Sequence, residues 1–170
     1  MHSSHMSYSG NRSLERAALT VTCLTSFLSP FMGASVNVAL PQMGEALGLG
    51  AVMLGWINMS FLLLSASLAV PFGRLGDLFG RKRFFTAGII VFTLSSAFIA
   101  SASSGTGVII GRAVQGIGSA MLVATSTAIL ISVFPPEKRG RVLGINVSSV
   151  YLGLSSGPFI GGIITEFLGW

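Results

Sequence analysis

Arg112 is a charged residue inside a long apolar run of this 170-residue sequence, and polar and small residues surround it at helical spacing. On a helix of 3.6 residues per turn it shares one face with Gln115, Gly116 and Ser119. Leaving a guanidinium in lipid costs at least about 2.5 kcal/mol, so such residues usually line an ion or substrate path. We predict such a path at Arg112 and Gln115; a side chain that snorkels to the headgroups is the alternative.

Three asparagines also lie inside apolar runs: Asn37, Asn58 and Asn146. Each shares a stripe with polar or small residues at helical spacing. Hydrogen bonds between helices, at roughly 0.6 kcal/mol apiece, account for each asparagine singly. Together the stripes predict a shared cavity lined by Asn37, Asn58, Arg112 and Asn146, with Trp56 as a weaker candidate.

A segment rich in glycine and cations, Gly73 to Arg83, separates two apolar runs. It holds four cations and one carboxylate, Asp77, in a space too short for a domain. We therefore predict a turn between two membrane helices. Attraction to anionic lipid accounts for the cations, but it does not account for Asp77, which weakens that attraction.

Small residues recur near the C-terminus in the pattern Gly153-x-x-x-Gly157-Pro158-x-x-Gly161-Gly162. Three of the glycines follow one another at four-residue steps, which places them on one helix face. That face lets a neighbouring helix approach closely, and the proline favours a kink.

The composition of the chain points to lipid as the solvent of these segments. Charged residues are 9% of the sequence and hydrophobic residues 51%, too few charges to cover a soluble domain of this length. A helix needs about 20 apolar residues to cross about 30 Å of hydrocarbon. Five runs reach that length, at about 17–40, 51–72, 84–103, 108–134 and 142–165. Because their hydrophobicity is continuous and does not alternate, we predict an all-α membrane protein with five transmembrane helices.

The distribution of charge predicts the orientation in the membrane. Nine of the ten Lys and Arg residues lie before the first run or in the connections after the second and fourth runs. The positive-inside rule then places the N-terminus in the cytoplasm. We expect an integral protein of a bacterial or archaeal plasma membrane, in which residues 1–16 are a cloning remnant and a cytoplasmic leader and residues 17–170 form the transmembrane bundle.

The same residues argue against several function classes. The net charge of +5 is concentrated beside the predicted spans, so we expect no nucleic-acid partner. Cys23 is the single cysteine and can form no internal disulfide. The sequence holds no Cys/His cluster, no acid pair within a span and no phosphate-binding loop followed by Lys-Ser/Thr. We expect no enzyme activity, catalytic residue, metal or cofactor.

One pattern occurs twice in the chain. Gly73-x-x-x-Asp77-x-x-Gly80 follows the second predicted helix, and Gly162-x-x-x-Glu166-x-x-Gly169 follows the fifth, on the opposite side of the membrane. Inverted repeats of three helices, a known plan of transporters, would produce this; chance matches in a glycine-rich chain are the alternative. On this plan a third helix of the second repeat is missing, because of truncation or because another chain supplies it.

Three of these patterns resemble signatures of the major facilitator superfamily of secondary transporters. Gly73 to Arg83 resembles its cytoplasmic loop between helices two and three. Arg112 to Ala120 is similar to its helix-four signature, and Gly153 to Gly162 is similar to the helix-five signature of its antiporter branches. The resemblance covers the chain from about residue 14 to its end.

The resemblance implies a role for each motif. In the loop, the carboxylate matched by Asp77 pairs with the arginine matched by Arg81 and latches the outward-facing state, although Leu78 stands where the family usually has arginine. Arg112 and Gln115 take part in proton transfer or substrate contact. The family's gating loop maps to Gly73, Asp77, Gly80, Arg81 and Lys82, and its leak-limiting helix-five motif maps to Gly153, Gly157, Pro158, Gly161 and Gly162.

The whole protein implied by the resemblance is a proton-coupled antiporter that exports small organic or drug-like compounds by alternating access. This chain would form a partial N-terminal bundle of it and would not transport alone. Its expected partners are the small-molecule substrate, protons, membrane lipid, and either the missing helices in cis or a second chain. Met32 stands where the family commonly has an aspartate, so a coupling carboxylate is expected elsewhere or the mechanism differs. The alternatives are a half-size transporter working as a homodimer and a non-transporting membrane scaffold or assembly partner.

Overall fold

The computed structural model describes residues 12–170, and its regular structure is helical throughout. All five helices are long and apolar enough to cross a membrane; the shortest has 20 residues and is about 30 Å long. The predicted all-α bundle of five spans is confirmed. The cloning remnant and most of the predicted leader, residues 1–11, lie outside the described residues. The helices are α1 Arg12–Leu47, α2 Ala51–Phe79, α3 Arg81–Ala100, α4 Gly105–Val133 and α5 Pro136–Leu168.

The helices run further than the predicted spans at most of their ends. α1 continues through Pro41 to Leu47, so the expected ten-residue connection shrinks to residues 48–50. The segment from Gly73 to Arg83, predicted as a turn, is helical except at Gly80. Hydropathy finds the part of a helix that lies in hydrocarbon, whereas a helix can extend well into the headgroup layer.

Gly80 is the single residue between α2 and α3, and its backbone explains the break. Its φ of 97° and ψ of 117° lie in a region that residues with a Cβ rarely adopt. Gly169 ends α5 with a φ of 82°. The two copies of the repeated pattern thus end their helices in the same way, at a glycine with positive φ.

Gly80→Ala is expected to lower the free energy of unfolding by about 2 kcal/mol, because alanine must adopt a strained backbone there. Gly73→Ala is the matched control, since a Cβ at that helical position meets nothing within 4 Å. Unfolding both variants in mixed detergent micelles measures the difference. Equal stability of the two variants would contradict the strain at Gly80.

The helices pack in two main pairs, α1 along α5 and α2 along α4, and α3 packs on the outer side of α4. In inverted three-helix repeats, a two-fold axis relates helix one to helix four and helix two to helix five. This axis would superimpose the α1–α5 pair on the α4–α2 pair. The packing therefore agrees with inverted three-helix repeats. α4 contacts each of the other helices and is the most buried span.

One end of the bundle carries nearly all of the basic residues. Leu19 near the start of α1 packs with Phe134 and Val142, which flank the connection from α4 to α5. Phe72 and Phe84 pack edge to face beside the connection from α2 to α3. Lys138 also lies 3.6 Å from Glu15. The cations that flank the spans are therefore gathered at the same end of the molecule.

Candidate transport cavity

A cavity of about 500 Å³ lies among α1, α2, α4 and α5. Its volume falls within the range of small-molecule sites. α3 contributes no residue to the lining, in keeping with its outer position. Apolar walls come from residues such as Phe61, Leu122 and Leu154. The polar lining residues are Thr25, Ser26, Ser29, Asn37, Asn58, Arg112, Ser119, Ser126, Thr127 and Asn146.

Arg112 is the charged residue of this lining, and its side chain is held between α2 and α4. It is 1% exposed. Its Nη1 donates to Gln115 Oε1 at 2.5 Å, and its Nε approaches the carbonyl oxygen of Ile57 at 3.4 Å. The guanidinium carbon lies 4.3 Å from the centre of the Phe61 ring, a cation–π distance. Arg112 thus faces protein and the cavity, and it does not snorkel.

Gln115 lies behind Arg112 and does not line the cavity. Its Nε2 donates to Ser96 Oγ on α3 at 2.7 Å, and Ser96 Oγ donates in turn to the carbonyl oxygen of Phe92 at 2.7 Å. This chain of hydrogen bonds fixes the amide so that its oxygen points at the guanidinium. Gln115 therefore positions Arg112 from behind the cavity wall, and its part in the transport path stays a prediction.

The three predicted asparagines all reach the cavity. Asn58 Nδ2 donates to Asn37 Oδ1 and joins α2 to α1. Asn146 exchanges hydrogen bonds with Ser26 at 2.7 and 3.1 Å and joins α5 to α1. Trp56, the weaker candidate, is 52% exposed and is absent from the lining. The structure therefore gathers Asn37, Asn58 and Asn146 around Arg112 and leaves out Trp56.

Serines complete the polar lining, and most of them were not predicted from the sequence. Ser29 and Ser119 lie 2.9 Å apart between α1 and α4, and Ser65 donates to Ser119 at 3.4 Å. The sequence did contain a signal for these serines. Four hydroxyl residues of α1 follow the helical spacing i, i+3, i+4, i+7 and so form one polar face: Thr22, Thr25, Ser26 and Ser29. Serine is common in membrane helices as a packing residue, so its role in the lining depends on which neighbour it faces.

The helix-five motif splits into a packed face and an outward face. A Cβ at Gly153 would collide with the carbonyl oxygen of Phe27, and one at Gly157 would lie 2.8 Å from that of Phe31. Gly161 packs as tightly against Ser35. Pro158 is exposed, and a Cβ at Gly162 would make an ordinary contact with Val38 at 3.7 Å. The three buried glycines thus let α5 lie directly on α1, beside the cavity.

The predicted gating residues meet at the basic end of the bundle. Arg81 Nε donates to Asp77 Oδ1 at 2.7 Å, and Arg81 Nη1 donates to the carbonyl oxygen of Ala128 on α4 at 3.0 Å. Lys82 is exposed, and Gly73 has open space around it. Asp77 is more than half exposed, so its carboxylate remains accessible to a further partner.

Carboxylates are missing from the cavity lining within the described part of the chain. The two ion pairs found among residues 12–170, Asp77 with Arg81 and Glu15 with Lys138, lie at the basic end. These residues also contain no group of three or more His, Cys, Asp or Glu side chains that could hold a metal. The positive charge of Arg112 therefore dominates the electrostatics of the cavity.

Five membrane-spanning helices around a cavity with apolar walls and several polar lining residues define a polytopic membrane protein with a ligand-sized site. The family model of the Major Facilitator Superfamily matches residues 22–170. The chain belongs to this superfamily.

Similar proteins in the superfamily are named after different substrates. The chain is 32% identical to riboflavin transporter RibZ of Clostridioides difficile (strain 630) over 89% of its own length and 33% of the relative. It is 37% identical to cephamycin export protein CmcT of Amycolatopsis lactamdurans over 90% of its length and 32% of the relative. It is 32% identical to multidrug transporter protein MdtP of Bacillus subtilis (strain 168) over 97% of its length and 30% of the relative. The chain spans about a third of the length of these relatives.

Proposed function

We propose that this chain forms one helix bundle of a secondary transporter that exports small organic or drug-like compounds in exchange for protons. The observation that carries the proposal is the 500 Å³ cavity with the buried guanidinium of Arg112 in its wall. A buried charge in a membrane bundle is costly and usually marks a transport path. Two relatives are named as an export protein and a multidrug transporter, which favours export of organic compounds.

The proposed mechanism is alternating access between two bundles. The glycine contacts between α1 and α5 and the close packing of α2 on α4 make this bundle a unit that can move as a whole. A second bundle, from further helices of the same protein or from a second copy in a homodimer, would close the cavity. We propose that the end where the cations gather, and with it the start of α1, lies in the cytoplasm; the positive-inside rule supports this orientation.

The proton in this mechanism needs a carrier other than Arg112. Arginine does not release its proton in proteins, and the cavity lining of the described residues holds no carboxylate. We therefore place the proton-carrying group in the second bundle. Arg112 would instead hold substrate and influence that group through its charge.

Transport is tested in proteoliposomes that carry the complete transporter containing residues 12–170 and an imposed pH gradient. Efflux of a fluorescent organic compound that requires the gradient and stops on addition of a protonophore is the expected result. Residues 12–170 alone are expected to give no efflux, because the second bundle is missing; efflux from them would favour the homodimer over further helices of the same protein. Efflux that is indifferent to the gradient would contradict proton exchange, and no movement of any compound in the complete protein would favour a scaffold.

Asp77→Asn is expected to slow transport by about tenfold while changing the free energy of unfolding by less than about 1 kcal/mol. The stability effect is small because the pair with Arg81 is exposed, and the transport effect reflects loss of the proposed latch. Glu15→Gln is the matched control, since it removes the other ion pair at the same end. Equal effects of the two substitutions on transport rate would show that Asp77 has no special role in gating.

A further inference from the structure

Arg112 lines the cavity and has a hydrogen-bonding nitrogen without an acceptor among the described residues. Its Nε and Nη1 have acceptors in Ile57 and Gln115, but no described residue accepts from Nη2. Every fully buried side-chain nitrogen or oxygen of the described residues has a partner. Nη2 is therefore not sealed inside the protein, and because Arg112 lines the cavity, Nη2 is its nitrogen available to a ligand there.

Within residues 12–170, the charge of Arg112 also lacks a counter-ion. Its partners are an amide oxygen, a backbone carbonyl oxygen and the face of an aromatic ring. A buried cation is stabilised most by a carboxylate or a similar anion in hydrogen-bond contact. The lining contributes none among the described residues, so a ligand can supply the missing negative charge.

We propose that the cavity selects small amphipathic organic acids over organic cations, with the ligand's carboxylate bound at Nη2 of Arg112. This inference rests on the proposed transport function and names its substrate class. The apolar wall around Phe61, Leu122 and Leu154 suits the hydrocarbon part of such a ligand. An organic cation would bring a second positive charge into a low-dielectric site, where like charges repel strongly. This cavity is therefore predicted to disfavour organic cations.

Three probes of one shape and different charge test the proposal: 1-naphthoate, 1-naphthamide and 1-naphthylmethylammonium. Their binding to the complete transporter in phosphatidylcholine nanodiscs is measured by equilibrium dialysis, with empty nanodiscs as background. Naphthoate is expected to bind at least about tenfold more tightly than the ammonium compound, with the amide between them. Equal affinities, or a preference for the ammonium compound, would overturn the proposal.

Substitutions test whether Arg112 is responsible for the preference for naphthoate. Arg112→Gln is expected to remove the preference for naphthoate, whereas Arg141→Gln should keep it, because Arg141 is an exposed cation at the basic end. Asn58→Asp keeps the side-chain shape but adds a carboxylate to the lining, so it should weaken naphthoate binding even if Arg112→Gln fails to fold. A preference that survives both Arg112→Gln and Asn58→Asp would rule out this site.

Two further measurements distinguish an organic acid from a lipid headgroup, and ligand binding from transport. Adding phosphatidylglycerol to the nanodiscs should leave naphthoate binding intact; displacement by this lipid would mean that the site takes a headgroup, and the proposal would be wrong. Proton-linked efflux is measured on the same protein preparation. Efflux without a charge preference contradicts the substrate class alone, whereas a charge preference without efflux contradicts the transport function and leaves the binding site standing.

Discussion

Arg112→Gln is expected to reduce the rate of efflux by about 100-fold in proteoliposomes of the complete transporter. A hydrogen bond to a charged group contributes about 1.5–3 kcal/mol, and the upper end of that range corresponds to about 100-fold. Glutamine also lacks the contact of the guanidinium with the Phe61 ring. The substitution thus removes both the charge of the cavity and the group that faces its ligand.

Two further variants show whether the slower efflux reflects the function of Arg112 or a loss of folding. Arg112→Lys keeps the charge as a compact ammonium without the planar fork of arginine, so an intermediate rate is expected. Arg141→Gln removes an exposed cation outside the cavity and should leave the rate unchanged. If Arg112→Gln keeps native helix content and transports at the normal rate, Arg112 is a packing residue and the pathway lies elsewhere.

Gly153→Leu is expected to lower the free energy of unfolding by about 3 kcal/mol, the upper part of the usual range for overpacked sites. A Cβ at this position would collide with the carbonyl oxygen of Phe27, which is backbone and cannot rotate away. The whole of α1 would have to move from α5. Unfolding in mixed micelles measures the loss, and efflux should fall with it because α1 and α5 both line the cavity.

Gly144→Leu is the matched control on the same helix. Gly144 is exposed, and a Cβ there meets nothing within 4 Å. Leucine also has the higher helix propensity, so this variant should be as stable as the parent or slightly more stable. A similar loss of stability at both positions would mean that the α1–α5 contact is looser than the structure shows.

The predicted pathway residues show how much of the cavity lining the local sequence pattern can predict. Asn37, Asn58, Arg112 and Asn146 all reach the cavity, because a polar side chain on a membrane helix is driven toward protein by the cost of burying it in lipid. That cost predicts that the side chain points away from lipid, but it does not predict which helix the side chain contacts. Gln115 follows the same rule, but it turns toward Ser96 on α3 and supports Arg112 from behind.

The segment from Gly73 to Arg83 shows a different kind of error. Its charges and glycines indicated a turn, and the chain does reverse there, but one residue, Gly80, is enough for the reversal. Arg81 can sit in the first turn of α3 because Asp77 and the carbonyl oxygen of Ala128 accept its hydrogen bonds. Charge content alone did not distinguish a loop from helix ends that project beyond the hydrocarbon.

The sequence by itself determined that the described chain is a bundle of five membrane-spanning helices, which end is basic, and which polar residues avoid lipid. These properties follow from local hydrophobicity, because each span must satisfy its own backbone in lipid. Tertiary structure alone decided that α1 pairs with α5 and α2 with α4, that Gln115 contacts Arg112 from behind, and which residues line the cavity. Most of these contacts join residues far apart in the chain: Arg112 and Ile57 are 55 residues apart, and Gln115, which is close to Arg112 in sequence, is itself held by Ser96, 19 residues away. Their approach depends on the packing of whole helix surfaces, which no local pattern encodes.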